Sequence, residues 1–87
     1  MRNFVIRIIV NGLASVEHLV EEIGRPELRR TIPNDISTVG GLVQSQLDRV
    51  AAAGDRTTWQ GLSLEVVDLD GKRIGHVLVT TPGKPTK

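Results

Sequence analysis

The chain reads as an α+β domain in the order β-α-α-β-β-β, a mainly antiparallel sheet with two helices packed on one face. Three patterns predict this. Aliphatic residues recur at helical spacing within Ser37–Asp55, STVGGLVQSQLDRVAAAGD. A second, shorter stripe is bracketed by Ser15 and Gly24. Alternating apolar and polar residues fill the last third of the chain, broken at Gln60-Gly61 and Asp70-Gly71. Helical periods followed by strand periods favour helices gathered on one side of an antiparallel sheet.

The first strand is expected over Phe4 to Val10, a run rich in β-branched residues that stops at the turn signal Asn11-Gly12. Its apolar residues lie on both faces, with Phe4, Ile6, Ile8 and Val10 on one and Val5 and Ile9 on the other. Such a strand is covered on both sides or meets a partner. Arg7 interrupts the run, and no small-residue cleavage site follows, so the segment is read as a strand and not as a signal peptide. Ser15 then caps a short helix whose Val16, Leu19, Val20 and Ile23 follow the amphipathic pattern, with Gly24 as its stop and Pro26 beyond. Residues 25–36 read as an irregular connection in which Leu28 and Ile32 are pinned to the core, and Pro33, Asn34 and Asp35 turn the chain.

The central helix starts at a Ser37 or Thr38 cap and presents Val39, Leu42, Val43, Leu47 and Val50 on one stripe. Gly40 and Gly41 in its first turn each cost about 1 kcal/mol of helix propensity against alanine, so the backbone there is expected to lie close to something. Arg56 to Gln60 places Thr57 and Trp59 on one face, and Gln60-Gly61 turns tightly into Leu62 to Leu69. Asp70-Gly71 is read as a type I′ hairpin turn. In the last strand, Arg73 to Thr80, the inward residues change phase between Ile74 and Val77. A bulge near Gly75-His76 is therefore predicted to keep Ile74, Val77 and Val79 on one side. Residues 1–81 form the domain and 82–87, PGKPTK, a disordered tail.

Composition limits the function. At 87 residues the chain holds one modest core. A net charge of +1, with a single Phe, a single Trp and no Tyr, gives nucleic acid neither a basic surface nor stacking platforms. The absence of cysteine rules out disulfides and thiolate metal sites, and no apolar run is long enough to cross a bilayer as a helix.

Chemistry is equally sparse. His18 and His76 lie far apart in the chain and are read as isolated surface histidines, so no metal site is assigned. Asp68-Leu69-Asp70-Gly71 opens like a calcium loop but lacks the third acidic position and the distal Glu, which leaves a hairpin. Ser15, Ser37, Ser45 and Ser63 have neither a glycine elbow nor a histidine partner, and no catalytic residue is assigned. One candidate binding feature remains: Thr38, Gly40 and Gly41, whose free N–H groups at a helix start could face an anion. Close packing of the glycines on a strand is the favoured alternative, because no basic residue lies within that first turn.

Taken together, NG-LASVEHL, TVGGLVQSQLDRV, the Gly54-Asp55 pair and GLSLEVVDLDGKRIGHVLV resemble the CorC/HlyC transporter-associated domain over about residues 6 to 80. The resemblance rests on Thr38-x-Gly40-Gly41-Leu42, Leu47-x-Arg49-Val50, Leu64-Glu65-Val66 and Asp70-Gly71-x-Arg73-Ile74 at matching spacings. The family usually has glycine where Asp48 stands and proline where Ala51 stands, so the end of the central helix is expected to differ locally or run longer. The resemblance implies a non-catalytic accessory or regulatory domain of a magnesium, cobalt or cation-antiporter transport protein. Its expected place is the cytoplasmic face of the inner membrane, beside transmembrane and CBS domains. Those domains, or a second copy, are the implied partners. Likeness of the fold to a subdomain of FAD-binding oxidases adds flavin adenine dinucleotide or a nucleotide as the alternative ligand. Val5, Ile9 and Val67, off the inward face, support the protein-docking reading.

Overall fold

The computed structural model describes residues 5–82. Its elements are β1 (Arg7–Asn11), α1 (Val16–Glu22), a 3₁₀ segment (Pro26–Thr31), α2 (Val39–Gln46), β2 (Arg56–Trp59), β3 (Leu62–Asp70) and β4 (Arg73–Thr80). The strands make one four-stranded sheet in the order β1-β4-β3-β2, antiparallel throughout. The α+β architecture is therefore the expected one. Phe4, placed in the first strand, and 83–87, most of the expected tail, lie outside the described residues.

Local chemistry fixes the first helix. The Ser15 hydroxyl accepts from the His18 N–H at 3.2 Å. At the other end Gly24 takes φ +79, and the Gly24 and Arg25 amides donate to the Glu21 and Val20 carbonyls. That pair of bonds is a Schellman stop, and the positive φ is what requires glycine there. Residues 26–31 form a 3₁₀ turn in place of the expected irregular connection. Pro26 suits its first turn, and Leu28 is buried by it.

The core lies between the helices and one face of the sheet. Val16, Leu19 and Val20 of α1 and Val39, Leu42 and Val43 of α2 meet Leu62, Leu64, Val66, Val77 and Val79. Ile6, Ile8 and Val10 pack against this cluster at its β1 edge. Each fully buried side chain of this kind contributes about 1.5–3 kcal/mol relative to exposure.

Two expectations need correction, and a third is met with an addition. First, α2 stops at Gln46, and Val50, expected on its buried stripe, is 74% exposed. Side chains rewire the chain beyond that point. Gln44 donates to the Arg49 carbonyl at 2.8 Å and accepts from the Ala51 N–H at 3.3 Å, and Ala51 takes the buried place. Arg49 grips the Asp55 carboxylate at 2.7 and 3.0 Å, closing a compact loop where a longer helix was expected. Second, the β3–β4 turn is centred on Gly71-Lys72, since Asp70 pairs with Arg73 across it. Only Gly71 has positive φ, +66, the φ pattern of a type II′ connection rather than I′. Third, the predicted irregularity at Gly75 has a counterpart. Val66 pairs with Val77, Asp68 with His76 and Leu69 with Ile74, so Val67 is extra on β3 and Gly75 is extra on β4. The two offset each other, and Ile74, Val77 and Val79 are all buried, as expected.

Candidate functional site

The helix start singled out by sequence sits where three segments cross. Thr38 caps α2, its hydroxyl accepting from the Gly41 N–H at 3.0 Å. Gly40 donates to the Gly12 carbonyl at 2.8 Å, and Val39 donates to the Ala14 carbonyl at 2.8 Å. A Cβ on Gly40 would lie 2.9 Å from that same Gly12 oxygen, and one on Gly12 would collide with the Ile74 carbonyl. Gly40 and Gly12 thus let the start of α2 touch the turn after β1, the close approach expected of Gly40, while a Cβ on Gly41 would meet only the Thr38 hydroxyl. The amides of Val39, Gly40 and Gly41 are all bonded within the chain, and the Leu42 amide donates to the Thr38 carbonyl at 2.9 Å. The free N–H groups on which an anion reading relies are therefore absent from this turn.

Above the crossing lies a hollow of about 220 Å³, bounded by Leu13, Thr38, Gly41, Gln44, Ile74 and the pair Lys72 and Arg73. The sequence shows no cation near Gly40-Gly41. The β3–β4 hairpin brings two to the rim, a juxtaposition only the tertiary structure creates. Both cations are exposed.

A second pairing escaped sequence reasoning. His76 Nδ1 lies 3.0 and 3.1 Å from the two Asp68 carboxylate oxygens, because the two bulges set these residues opposite each other. The hairpin at Gly71 hinted at such a neighbour, but the extra residue on each strand had to be known to choose it. A Cβ on Gly75 would run into the Asp68 carboxylate, so this glycine seats the acid. No group of three or more His, Cys, Asp or Glu that could hold a metal ion occurs among the described residues. His18 is exposed on α1, and the Ser45 hydroxyl is spent on the Leu42 carbonyl at 2.7 Å.

Among the described residues, none covers the sheet face opposite the helices. Register places Arg7, Ile9 and Asn11 of β1 beside Thr80, Leu78 and His76 of β4, with Ser63 and Glu65 of β3 beyond. Val5 is 54% and Ile9 62% exposed, at and near a hollow of about 390 Å³ whose walls include Arg7, Arg56, Glu65 and Leu78. Arg56 reaches Glu65 at 3.4 Å. Elsewhere, hydrogen bonds from Arg49 and then from the Ala52 amide hold the Asp55 carboxyl below the usual carboxylate range. Arg25 does the same for Glu27.

Comparison with known proteins agrees with this architecture. The family profile described as "CorC_HlyC: Transporter associated domain" matches residues 4–83. No curated protein matches the chain. Among solved structures, the CorC_HlyC domain of a Xylella fastidiosa Temecula1 hemolysin, in complex with Mg++ and Mn++, is 29% identical with a TM-score of 0.72, covering 87% of each chain. A CorC_HlyC domain from Haemophilus ducreyi, 20% identical, superposes with a TM-score of 0.75 over 97% of this chain and 98% of that one. The region associated with a putative Mg2+ and Co2+ transporter (CorC) from Neisseria meningitidis MC58 is 21% identical, with a TM-score of 0.74 over 87% and 89%. These last two likenesses speak to fold alone.

Proposed function

Because this chain belongs to the CorC_HlyC transporter-associated domain family, we propose that it is a non-catalytic regulatory module of an ion-transport protein that acts by docking on protein. The ions are divalent cations of the magnesium and cobalt type, and the docking partners are the transmembrane and CBS parts of the transport protein or a second copy of the module. Its place is the cytoplasmic face of the membrane. No helix among the described residues is long and apolar enough to cross a membrane. One observation carries the reading: the sheet face away from the helices exposes Val5 and Ile9 beside half-buried Leu78. Apolar side chains gathered on an uncovered face, rimmed by Arg7, Arg56 and Glu65, have the make-up of an interaction surface. Deleting the coding segment for residues 4–83 and measuring cellular Mg2+ and Co2+ tests it. A shifted cation content is expected, and an unchanged content in both would refute the regulatory role.

A flavin or nucleotide bound at Thr38, Gly40 and Gly41 is the second reading, favoured by Lys72 and Arg73 at the rim of that hollow. Titrating the chain with FAD and ATP while following thermal unfolding tests it, and no stabilisation by millimolar ligand would dismiss it.

A further inference from the structure

We propose that the hollow between the α2 start and the β3–β4 hairpin docks an acidic, apolar-bearing peptide segment of a partner protein. This rests on the protein-docking reading above and gives that reading a second, chemically defined contact. Charge is the first ground. Arg25, Arg29, Arg49 and Arg56 each pair with a carboxylate; among the described residues Lys72 and Arg73 do not, and neither do Arg7 and Arg30 elsewhere on the surface. No acidic residue lines this hollow, although Leu13, Arg73 and Ile74 also border an adjoining one that holds Asp68 and Asp70. Lys72 and Arg73, over a hollow whose own walls carry no carboxylate, are complementary to an acidic partner.

Apolar surface is the second ground. Leu13, at the rim, is 65% exposed in the tight turn after β1. Ile74 forms the wall beneath it and is buried. A neighbouring hollow shares Gln44 and Lys72 with the first and continues to Leu47 and to Val50, itself 74% exposed. The two make a trough along α2 with an exposed aliphatic residue toward each end. The far hollow carries Asp48, and its Arg49 is held by Asp55, so the acidic part of a ligand belongs over Lys72 and Arg73 and its apolar part toward Leu13 or Val50.

Shape and hydrogen bonding choose a peptide over a dinucleotide. The joined hollows, about 220 and 550 Å³, run along α2 as a surface trough, which suits an extended segment laid across it. The first-turn amides that would cradle a phosphate are already bonded to Ala14, Gly12 and Thr38.

The test is a titration of the 87-residue chain, ¹⁵N-labelled, with a synthetic peptide of repeated Glu-Asp-Leu-Phe units and with its basic counterpart of Lys-Arg-Leu-Phe units. Saturable shifts of the Leu13, Gly41, Lys72, Arg73 and Ile74 amides are expected with the acidic peptide alone. Replacing Lys72→Glu and Arg73→Glu together should weaken binding roughly five- to tenfold, the scale of two exposed ion pairs, with an unchanged thermal midpoint. Arg7→Glu, on the opposite sheet face, should leave it unaltered. The inference is overturned by the absence of saturable shifts, by equal binding of the basic peptide, by equal loss in Arg7→Glu, or by FAD or ATP occupying the same amides more tightly. Altered cation content on deletion without peptide binding would sink this inference alone. Peptide binding with unaltered cation content would sink the regulatory reading alone.

Discussion

Gly40→Ala should destabilise the domain even though it replaces a poor helix former by the best one. Gly40 has no positive φ, so its backbone places no demand on glycine. The demand is spatial. A Cβ would stand 2.9 Å from the Gly12 carbonyl oxygen and 3.4 Å from the Gly12 carbonyl carbon and Cα, all backbone atoms. Gly12 cannot retreat, because its amide is held by the Gly75 carbonyl at 2.8 Å and its own Cβ position is filled by the Ile74 carbonyl. Forcing a methyl into such a contact costs about 1–3 kcal/mol. Backing the helix away also loses the Gly40 to Gly12 hydrogen bond, worth about 1 kcal/mol. The propensity gain returns about 1 kcal/mol, which leaves a net loss of about 1–3 kcal/mol. Gly41→Ala is the control, since its Cβ would meet only the Thr38 hydroxyl, at 2.9 Å. Displacing that cap costs about 1 kcal/mol and is offset by the same propensity gain. Urea unfolding followed by the fluorescence of buried Trp59 reads the difference. With a slope of about 1 kcal/mol/M for so small a domain, the Gly40→Ala midpoint should fall by roughly 1–3 M while that of Gly41→Ala barely moves. Equal midpoints for the two variants, or a Gly40→Ala domain as stable as its parent, would refute the account of this crossing.

Two further outcomes follow from the same structure. Leu42→Ala should cost about 2–5 kcal/mol, since Leu42 is 1% exposed. Val50→Ala, on a residue 74% exposed, should stay within about 0.5 kcal/mol. Chemical denaturation of both variants decides whether α2 really ends before Val50. Acid should also report the Arg49–Asp55 contact. The Asp55 carboxyl titrates lower folded than unfolded, so its stabilisation is present above the ordinary carboxylate pKa and is lost as pH falls through the folded value. Stability of the parent should decline more steeply than that of Asp55→Asn below about pH 5. Parallel curves from a pH series of thermal midpoints would remove the ion pair as a contributor to the loop.

Much of this fold was legible because its signals are local. Ser15 and Gly24 each satisfy or release backbone groups within a turn of themselves, so the bounds of α1 needed no distant partner. The alternation through Leu62, Leu64 and Val66 announced a strand with one buried face. The phase change between Ile74 and Val77 announced an irregularity because a single-residue slip would have buried the wrong set. The end of α2 was misread for the opposite reason. Val50 continues a helical period on paper, but Gln44 and Asp55 capture the intervening backbone, and those bonds exist only once residues 44–55 close on themselves. The Thr38-Gly40-Gly41 turn was correctly suspected of close approach. What it approaches, the Gly12 carbonyl, lies far away in sequence and could not be named.

The sequence by itself determined the two helix starts, the antiparallel strands, the inward residues other than at the end of α2, and the family, since each is written in periods, caps and spacings of neighbouring residues. Only the tertiary structure decided that Lys72 and Arg73 stand over the α2 start, that Asp68 faces His76, and that Val5 and Ile9 lie on an open sheet face. Those placements depend on strand order and on two opposed bulges, and such long-range register leaves no periodic trace in the chain.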